Sequence, residues 1–484
     1  MSRPAVMRGG LRLEACKTRP FEQPLHVLPA PAIAILALDQ GSGEAATPLV
    51  QPGDTVRVGT RIAAGGGAAA DLHSPVSGAV RELARLAVPG GVGDCVVIES
   101  DGRDDREPGL GTCDWRSLTA EALLERIAAA GIAGLGGAAF PTAAKLALAR
   151  SAGVDWLVLN GAECEPWICC DDALMRQRAK DVVLGAQIML AACGAARCTI
   201  AVEDDKPAAI AALEAALAAA PAAGLELLTL PAVFPLGAEA LLIAAVTGRE
   251  VPRGGLPPDI GVVCQNVGTA AAVSSCVRDG MPLVSRIVTV TGSGVRQPAN
   301  VEACIGTPVA ALIAACGGRV DASISLIAGG SLTGRALAGD AVPLTKGLNC
   351  VLVATGDDLS PRSPELPCIR CGDCAVACPV GLLPQQLHVA ARADDRSGQD
   401  RFGLDACIEC GCCDYVCPSA IPLTARFRAA RTRRHLHEQE RRRAADARVR
   451  FERHQRRLAE QAEAERRAFD AARSHARGQD PGES

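Results

Sequence analysis

Short apolar runs alternate with turn residues in the first part of the chain, from about residue 26 to residue 97. Residues 52–54 form a turn before the alternating segment Thr55–Val58, and Gly59 gives another turn directly after it. Evenly spaced turns between short alternating runs are typical of a small β-barrel or β-sandwich. We therefore predict an all-β module and assign it to residues 1–115.

Helical and strand patterns alternate from about residue 118 to residue 281. The pattern predicts a helix over Ala120–Ala130, a buried strand over Trp156–Leu159 and a long helix over Asp172–Cys193. Alternation of this kind is typical of an α/β layer architecture. We assign this α/β domain to residues 116–284.

A smaller α+β module follows, and we assign it to residues 285–356. The pattern predicts a strand over Arg286–Thr291, a helix over Pro308–Cys316, and strands over Ser323–Ala328 and Val351–Thr355. The whole chain is therefore predicted to be a multidomain protein of mixed α/β and α+β structure.

The last part of the chain, residues 426–484, is rich in Arg, Ala, Glu and Gln. We predict a long solvated helix over Arg441–Ala471 and a disordered end over Gly478–Ser484. The apolar positions of this tail are too sparse for a coiled coil. Two interpretations stay open: a flexible exposed tail, or an arginine-rich arm that contacts an acidic partner or the anionic inner leaflet of a membrane.

The charge and hydropathy of the chain limit the kinds of partner that it is expected to bind. The most apolar stretch, residues 207–246, is interrupted by glutamates and prolines, whereas a membrane span needs about 20 apolar residues, so any membrane role is expected to be peripheral. Met1–Lys17 contains no apolar core of a signal peptide, which favours a cytosolic location. The 484 residues include 50 basic and 54 acidic side chains and 2% aromatics, which argues against nucleic-acid binding.

Cysteine is unusually frequent, with 22 in the chain, and in a reducing compartment clustered cysteines indicate metal binding more often than disulfides. Eight of them form two runs with the spacing C-x2-C-x2-C-x3-C-P, namely Cys368, Cys371, Cys374, Cys378, Cys407, Cys410, Cys413 and Cys417. This is the spacing of bacterial ferredoxins that hold two [4Fe-4S] clusters. Residues 357–425, which begin with the linker Asp357–Pro367, are therefore predicted to be a ferredoxin-type domain.

Ligation is expected to cross between the two runs. The first three cysteines of a run reach three corners of one cluster, whereas the fourth is displaced and ligates the other cluster. Cys417 is therefore expected to complete the cluster of the first run, and Cys378 the cluster of the second. Zinc is the alternative, but zinc sites use pairs of C-x2-C rather than four-cysteine runs that end in Cys-Pro. Most of the other fourteen cysteines are expected to be small core residues.

Two such clusters form a one-electron relay, and the relay needs a donor. Nicotinamide transfers a hydride, which carries two electrons, whereas a flavin accepts two electrons and releases them singly, so we predict a flavin upstream. Gly131–Thr142 is rich in glycine and precedes a predicted helix over Ala143–Arg150, so backbone N–H groups there can approach a phosphate or a ring. A tight helix–strand packing loop is the alternative for this segment.

Three further loops carry a resemblance to a known family. Asn160–Pro166 follows the predicted strand, and together with the glycine-rich loop it resembles the flavoprotein subunit of respiratory complex I, whose loops read as glycine-rich-FPT and N-x-D-E-x-E-P. Phe234–Glu239 and Gln265–Thr269 are similar to loops that surround FMN and the nicotinamide in that family.

The resemblance is closer to the C subunit of the Rnf/Rsx ion-translocating electron transport complex, and it covers about residues 20–425. It includes a barrel-sandwich hybrid of the biotinyl/lipoyl type, which here has no lysine between Gln51 and Val80 for a covalent cofactor, an FMN/NADH-binding α/β domain, a β-grasp (SLBB-like) module and the two-[4Fe-4S] ferredoxin domain. An arginine-rich helical tail follows these four parts.

This resemblance implies an NADH-linked electron-transfer oxidoreductase with FMN and two [4Fe-4S] clusters as cofactors. It implies a peripheral subunit on the cytoplasmic face of the bacterial inner membrane. The implied partners are NADH and the membrane-embedded and membrane-anchored subunits of the same complex, with ferredoxin as a further candidate. Ion translocation would belong to those subunits.

The resemblance also implies the residues of the site. The residues that would hold FMN are Gly134, Gly136, Gly137, Lys145, Asn160 and Asn266. The residues that would contact or orient NADH are Phe140, Glu163, Glu165 and Glu239. The alternative for these glutamates is a loop-capping role. The sequence departs from the family at Ala139, where the loop often has glycine, and at Ala162, which replaces an acidic residue.

Two other functions share parts of this pattern. A soluble corrin (cobalamin) reductase of the propanediol-utilisation type has the same architecture, although a soluble enzyme has little use for an arginine-rich arm. A docking subunit that holds clusters but no pyridine nucleotide is the second alternative, and Ala139 and Ala162 are the residues that favour it.

Overall fold

The computed structural model describes residues 7–41, 43–320, 324–356, 358 and 364–477. The predicted disordered end, Gly478–Ser484, lies outside these residues, as does most of the predicted linker. No helix in the described part of the chain is long and apolar enough to cross a membrane.

The N-terminal module consists of two small sheets. After a short helix, α1 (Thr18–Phe21), its strands are β1 (His26–Val27), β2 (Ile33–Ala37), β3 (Thr47–Pro48), β4 (Thr55–Val56), β5 (Arg61–Ala64), β6 (Leu72–His73), β7 (Gly78–Val88) and β8 (Gly91–Ser100). One sheet has the order β2-β8-β7-β4 and the other the order β3-β5-β6. The expected barrel-sandwich of short antiparallel strands is therefore present, whereas β1 leaves it and pairs with a strand of a later module.

The long hairpin of β7 and β8 forms the centre of the first sheet. Val80 of β7 is buried in the core, and in β8 the four consecutive residues Cys95–Ile98 are all buried. Gly78 begins β7 with a φ of +152°, and a Cβ atom there would collide with the carbonyl of Glu99 on the partner strand. Glycine therefore permits the close approach of the two strands at this point.

The second part is an α/β domain. Its elements are α2 (Ala120–Ala129), α3 (Thr142–Ser151), β9 (Trp156–Gly161), α4 (Cys170–Cys193), β10 (Arg197–Glu203), α5 (Pro207–Ala219), β11 (Leu225–Leu230), α6 (Glu239–Thr247), β12 (Val262–Asn266) and α7 (Val267–Asp279). The four strands are parallel and have the order β11-β10-β9-β12. Parallel strands place their carboxyl ends at one edge of the sheet, where open α/β sheets bind ligands.

The predicted α/β layers are confirmed. Their hydrophobic core continues into the N-terminal module. The apolar interior of β9 and α4, with Leu157 and Val183, is continuous with the β-strands of the N-terminal module, where Leu36 and Ile98 are buried. The glycine-rich loop leads into α3 as expected, and Leu146 of this helix is fully buried in the same core.

The third part is a mixed sheet with one helix. Its elements are β13 (Ser285–Thr291), β14 (Ala299–Cys304), α8 (Val309–Ala315), β15 (Ser325–Ala328), β16 (Arg335–Ala336) and β17 (Cys350–Ala354). The sheet has six strands in the order β1-β14-β13-β17-β15-β16, and α8 packs its buried residues Leu312 and Ile313 against it. The predicted start of the third strand, Ser323, lies outside the described residues.

The fourth part is small and helical, with α9 (Asp373–Val376), α10 (Pro384–Arg392), α11 (Arg396–Arg401), α12 (Cys412–Tyr415) and α13 (Leu423–Arg477). The short helices α9 and α12 occupy equivalent places in the two cysteine runs. Each follows a glycine with a positive φ, which is +90° at Gly372 and +81° at Gly411. The repeat in the sequence is therefore also a repeat in the backbone.

The C-terminal helix α13 begins earlier than the predicted helix over Arg441–Ala471 and is 55 residues long. Phe427 and Ala430 in its first turns are fully buried against the cysteine-rich part, whereas Leu436 and the residues after it, up to Ser474, are exposed. The predicted start is too late because the arginines of this segment mask the apolar spacing that packs the first turns.

Candidate functional site

The carboxyl edge of the parallel sheet brings two predicted asparagines together. Asn160 near the end of β9 and Asn266 at the end of β12 are partners in adjacent strands. Asn266 begins α7, where its side-chain oxygen accepts bonds from the N–H groups of Gly268 (2.8 Å) and Thr269 (3.3 Å). Asn160 donates to the carbonyl of Gly237 at 2.9 Å. These amides therefore fix the loops at the mouth of the crevice.

The glycine-rich loop closes over the same edge. Gly134 N–H donates to the Phe140 carbonyl at 2.9 Å, and Leu135 N–H donates to the Thr269 hydroxyl at 2.9 Å. A Cβ on Gly136 would lie 3.3 Å from the side chain of Asn266, whereas a Cβ on Gly137 would meet no atom within 4 Å. The loop thus packs tightly on one side and leaves open space on the other, which fits the cradle expected for a flavin.

Ala139 occupies a backbone conformation that favours glycine. Its φ is +49°, and its side chain is buried. A non-glycine residue in the left-handed region costs about 1–2 kcal/mol. The alanine noted at this position therefore adds local backbone strain to the loop.

Lys145 and Glu239 form an ion pair beside the loop. The Lys145 Nζ lies 2.7 Å from Glu239 Oε1, and both side chains are partly exposed. Lys145 belongs to the first turn of α3 and Glu239 begins α6, so each side chain comes from the N-terminal end of a helix. The exposed ring of Phe140 lies two residues before the start of α3. The structure therefore brings three of the predicted contacts to neighbouring helix ends.

Glu163 is buried, and its carboxylate is fully engaged by the protein. Its two oxygens accept bonds from the N–H groups of Asp171 (2.9 Å) and Asp172 (2.8 Å) at the start of α4. Lys17 donates to the Glu163 carbonyl. A carboxylate at a helix N-terminus is stabilised by the helix dipole and by the free N–H groups. In this structure Glu163 therefore anchors α4, and its assignment to the nucleotide site stays a prediction.

Glu165 reaches the third module instead of the glycine-rich loop. Its carboxylate accepts bonds from the N–H groups of Leu332 (3.0 Å) and Thr333 (2.8 Å) and from the Thr333 hydroxyl. These donors lie in the loop between β15 and β16, so Glu165 joins the crevice to the mixed sheet. Its predicted contact with NADH stays a prediction.

Two residues near the crevice, the half-buried Asp171 and the buried Lys346, are missing from the residues predicted from the sequence. Burial raises the pKa of Asp171 to about 7, with Glu163 as the next cause, while Asp171 accepts a bond from Asn266 at 2.6 Å. Burial lowers the pKa of Lys346 to about 7, and its amine donates to the carbonyls of Asp71 (2.6 Å) and Gly131 (2.7 Å). Asp171 could have been found from the sequence, because it forms an acidic pair with Asp172 in the first turn of the long helix α4. The sequence around Lys346 contains no comparable signal.

A cavity in the cysteine-rich part contains the thiols that the crossed scheme joins. Its cysteines are Cys368, Cys371, Cys374 and Cys417. The fourth cysteine of the second run thus lies with the first three of the first run, although the two segments are distant in sequence. Soft thiolate donors arranged around one cavity fit an iron–sulfur cluster.

The other cysteines of the two runs lie close to one another. Burial raises the pKa of the Cys378 thiol, and Cys410 contributes to this shift. Burial also raises the pKa of the Cys413 thiol, with smaller contributions that include Cys407 and Cys410. Cys378 therefore lies near thiols of the second run, as the crossed scheme requires. The individual ligand assignments stay predictions.

Comparisons with known proteins assign all four modules. The chain matches the family models of the RnfC barrel sandwich hybrid domain (residues 5–103), the Nuo51 FMN-binding domain (residues 127–275), the SLBB domain (residues 287–336) and the 4Fe-4S dicluster domain (residues 367–421). The predicted fold classes are therefore confirmed, as are FMN and iron–sulfur clusters as cofactors.

Proteins that are similar to this chain over most of its length share one name. The C subunit of the ion-translocating oxidoreductase complex of Rhodobacter capsulatus is 40% identical over 431 residues, which are 88% of this chain and 82% of that protein. The chain belongs to this family. The C subunit of the same complex in Pseudomonas aeruginosa is 46% identical over 470 residues, or 96% of this chain, but the chain spans only 60% of that relative's length. The predicted resemblance to the C subunit is thus confirmed.

One solved structure shows a weak overall likeness to this member of the C-subunit family. It is an NAD+-reducing [NiFe]-hydrogenase in the H2-reduced state, with a TM-score of 0.45 and 22% identity over 65% of this chain and 61% of that chain. Likeness at this level does not extend to function.

Proposed function

We propose that the chain passes electrons between NADH and partner proteins through FMN and two [4Fe-4S] clusters. The observation that carries this proposal is the presence, in one chain, of a glycine-lined crevice at the carboxyl edge of a parallel sheet and of eight cysteines in two ferredoxin runs. Bound FMN supplies the step from two-electron to one-electron transfer.

The residues of the crevice have distinct roles in this proposal. Gly134, Gly136 and Gly137 present backbone to the flavin, and Asn160 and Asn266 hold the loops that surround it. Each of these amides is already fixed by backbone partners, so the site is preorganised before a ligand arrives.

Side chains at the mouth of the crevice are proposed to bind the nucleotide, and one carboxyl group is proposed to hold a proton. Lys145 and Glu239 form the partly exposed pair at the mouth, where the lysine is available to an anionic ligand and the glutamate to a ribose hydroxyl. Phe140 offers an exposed ring for stacking beside them. Asp171, with a pKa near 7, holds a proton at its carboxyl group within hydrogen-bond distance of Asn266.

The proposed ligands of the first cluster are Cys368, Cys371, Cys374 and Cys417, and those of the second are Cys378, Cys407, Cys410 and Cys413. The proposed domain boundaries are residues 1–115, 116–284, 285–356, 357–425 and 426–484. We further propose a peripheral position on the cytoplasmic face of the bacterial inner membrane, where the other subunits of an ion-translocating complex, and ferredoxin as a candidate, exchange electrons with the chain.

Stopped-flow mixing with NADH tests the proposal. The full chain is reconstituted anaerobically with iron, sulfide and FMN, and the absorbance of flavin and clusters is followed separately. We expect the flavin to bleach first and the clusters to follow. Dithionite serves as the control, because it reduces the clusters without a nucleotide site. Cluster reduction by dithionite with no flavin bleaching by NADH would favour a docking role instead.

A comparison of two substitutions tests whether Lys145 belongs to the nucleotide site. Lys145→Met should slow the bleaching by NADH, because the exposed amine at the mouth is removed, while dithionite reduction stays at the parent rate. Arg150→Met is the matched control, because Arg150 lies in the same helix and also forms an exposed ion pair, with Glu121. Equal slowing by both substitutions would remove Lys145 from the site.

A further inference from the structure

The ferredoxin part and the flavin-binding part meet across the N-terminal segment of residues 7–17, which we call the strap. Leu11 of the strap and Phe234 exchange two backbone hydrogen bonds of 2.7 Å and 2.9 Å. One residue earlier, Gly10 N–H donates to the Ala377 carbonyl at 3.0 Å. Three distant segments of the chain are therefore joined within two residues of the strap.

On the ferredoxin side, this junction lies at the cysteines of the second cluster. Ala377 directly precedes Cys378, and a Cβ on Gly9 of the strap would lie only 2.7 Å from the Cys378 carbonyl. Phe234 and Ala377 share a buried apolar cluster with Cys412, and Cys410 packs against it. The backbone beside the crossed ligand Cys378 therefore contacts the strap, and the side chains of Cys410 and Cys412 in the second run pack at the same junction.

On the flavin side, the junction leads back to the crevice. Phe234 lies three residues before Gly237, whose carbonyl accepts the bond from Asn160 and whose N–H donates to the Cys164 sulfur at 3.4 Å. Cys164 also packs on the buried cluster that contains Phe234. Covalent and hydrogen bonds therefore run without a gap from the predicted FMN contact Asn160 to the predicted ligand Cys378.

The loop clamped by Glu165 reinforces this junction. Leu332 of that loop packs on the same buried cluster, and its carbonyl lies 3.2 Å from where a Cβ on Gly411 would stand. Gly411 lies between Cys410 and Cys412 of the second run. The mixed sheet thus also supports the second run against the crevice.

The first cysteines of the first run are more exposed than the cysteines of the second cluster. Cys368 and Cys371 are exposed, and Ile369 between them is 69% exposed. The cavity that contains them is lined only by residues of the range 368–423, with none from the described part of the flavin-binding domain. This cluster would therefore have solvent, or a partner protein, on its open side.

We infer that the two clusters act in a fixed order. The cluster of Cys378, Cys407, Cys410 and Cys413 exchanges electrons with the flavin, and the cluster of Cys368, Cys371, Cys374 and Cys417 exchanges them with a one-electron carrier protein. This inference rests on the proposed function. One NADH gives up two electrons and leaves as NAD+ and a proton, and each cluster takes one electron at iron, so the two clusters together balance one NADH.

Two substitutions at equivalent places in the repeat test the order. Cys371→Ala removes the first-run cluster, and Cys410→Ala removes the second-run cluster. Each full-length variant is reconstituted anaerobically, mixed with NADH, freeze-quenched and examined by EPR for the cluster that remains. Dithionite shows in each case that this remaining cluster is intact.

We expect NADH to reduce the remaining cluster of the Cys371→Ala variant at the parent rate. In the Cys410→Ala variant, NADH should reduce the remaining first-run cluster about tenfold more slowly or worse, because the flavin must then transfer electrons directly to the more distant cluster. Dithionite should still reduce that cluster. The opposite pattern, or equal rates in both variants, would overturn the order.

A second measurement does not use NADH. An iron chelator added to the oxidised variants should extract iron from the Cys410→Ala variant first, because the first-run cluster is the exposed one. Earlier loss from the Cys371→Ala variant would also overturn the order. If NADH reduces no cluster even in the parent, the proposed function fails, and the chelator result then decides only which of the two clusters is the exposed one.

A substitution outside the cysteines covers the case in which a variant fails to assemble. Phe234→Ala keeps all eight thiols and removes the ring at the junction, so NADH should reduce both clusters more slowly while dithionite acts at the parent rate. Ile369→Ala, on the exposed face, should leave both rates unchanged. Loss of rate in the Ile369 variant alone would make the first-run cluster the one that accepts electrons from the flavin.

Discussion

The flavin-binding crevice and the ferredoxin part are held together in different ways. The crevice is fixed by buried charged groups that come from distant parts of the chain, such as Lys346, which bonds to carbonyls 275 and 215 residues away. The ferredoxin part draws its eight cysteines from 50 residues and has exposed thiols at Cys368 and Cys371. The first site therefore depends on the folded core, whereas the second depends on the clusters it binds.

Loss of a crossed ligand should have the largest effect. Two ferredoxin runs imply about eight irons per chain, and Cys417→Ala should reduce this to about four, because the first-run cluster loses its fourth thiolate. Anaerobic iron and sulfide analysis measures the loss, and EPR identifies the missing cluster. Cys412→Ala is the control and should keep all the iron. Loss of the second-run signal in the Cys417 variant would show that ligation does not cross.

At the crevice, the substitution expected to lower the free energy of unfolding most is one that breaks a buried ion pair. Lys206 and Glu203 are both fully buried, with Nζ and Oε2 2.5 Å apart. Lys206→Met leaves Glu203 buried without its partner, so the free energy of unfolding should fall by about 3–5 kcal/mol. Arg442→Met breaks an exposed pair with Glu438 and should cost less than about 1 kcal/mol. Denaturant titration of both variants measures the difference, and similar losses would contradict it.

The half-buried acid of the crevice, Asp171, should make the stability of the protein depend on pH. The pKa of Asp171 is raised from 3.8 to about 7, so between about pH 4 and pH 7 the folded chain keeps a proton that the unfolded chain has lost. Stability from this group is therefore greatest at the acidic end and falls as pH rises through that window. Glu163, Lys206 and Arg286 are the charged groups that act on it.

Asp171→Asn should flatten this part of the profile, which urea titrations at several pH values would detect. Asp181→Asn, in the same helix but paired with Arg278, is the control and should keep the slope of the parent. A variant Asp171→Asn with an unchanged slope would show that another group holds the proton.

The smallest effect concerns the strained loop. Ala139→Gly relieves a left-handed conformation that costs about 1–2 kcal/mol, but glycine adds freedom to the unfolded chain, so a net gain of about 0.5 kcal/mol is expected. Ala138→Gly, which has no positive φ, should instead lose about that amount. Thermal unfolding of the two variants compares them, and a loss in both would mean that the loop at Ala139 carries no strain.

The two sites also differ in how far the sequence predicts them. Cysteine spacing within 50 residues is a local signal, and the structure brings Cys417 to the first run as the spacing requires. Asn160 and Asn266 are predicted only through the resemblance to the family, and the structure pairs them near the ends of the adjacent strands β9 and β12. Lys346 and Lys17 escape such reasoning, because their partners Gly131 and Glu163 lie far away in sequence and only the folded packing brings them together.

Helix boundaries show the same limit. The predicted strand over Trp156–Leu159 and the predicted helix over Ala120–Ala130 agree with the structure to within two residues, since their apolar periodicity is regular. The predicted start of α13 is 18 residues too late, because its first turns contain arginines that bond to the cysteine-rich part, such as Arg431, which donates to the Cys407 carbonyl at 2.7 Å. Long charged side chains hide burial from a pattern of polar and apolar letters.

The pairing of β1 with β14 has a practical consequence. His26 and Val27 lie beside Val301 and Glu302, so a strand from the beginning of the chain completes a sheet built almost three hundred residues later. Cutting the gene between the first and third modules would leave one margin of that sheet with unsatisfied peptide groups, open to association with other chains. Fragments designed for crystallography or spectroscopy should therefore retain residues 26 and 27 together with the SLBB sheet.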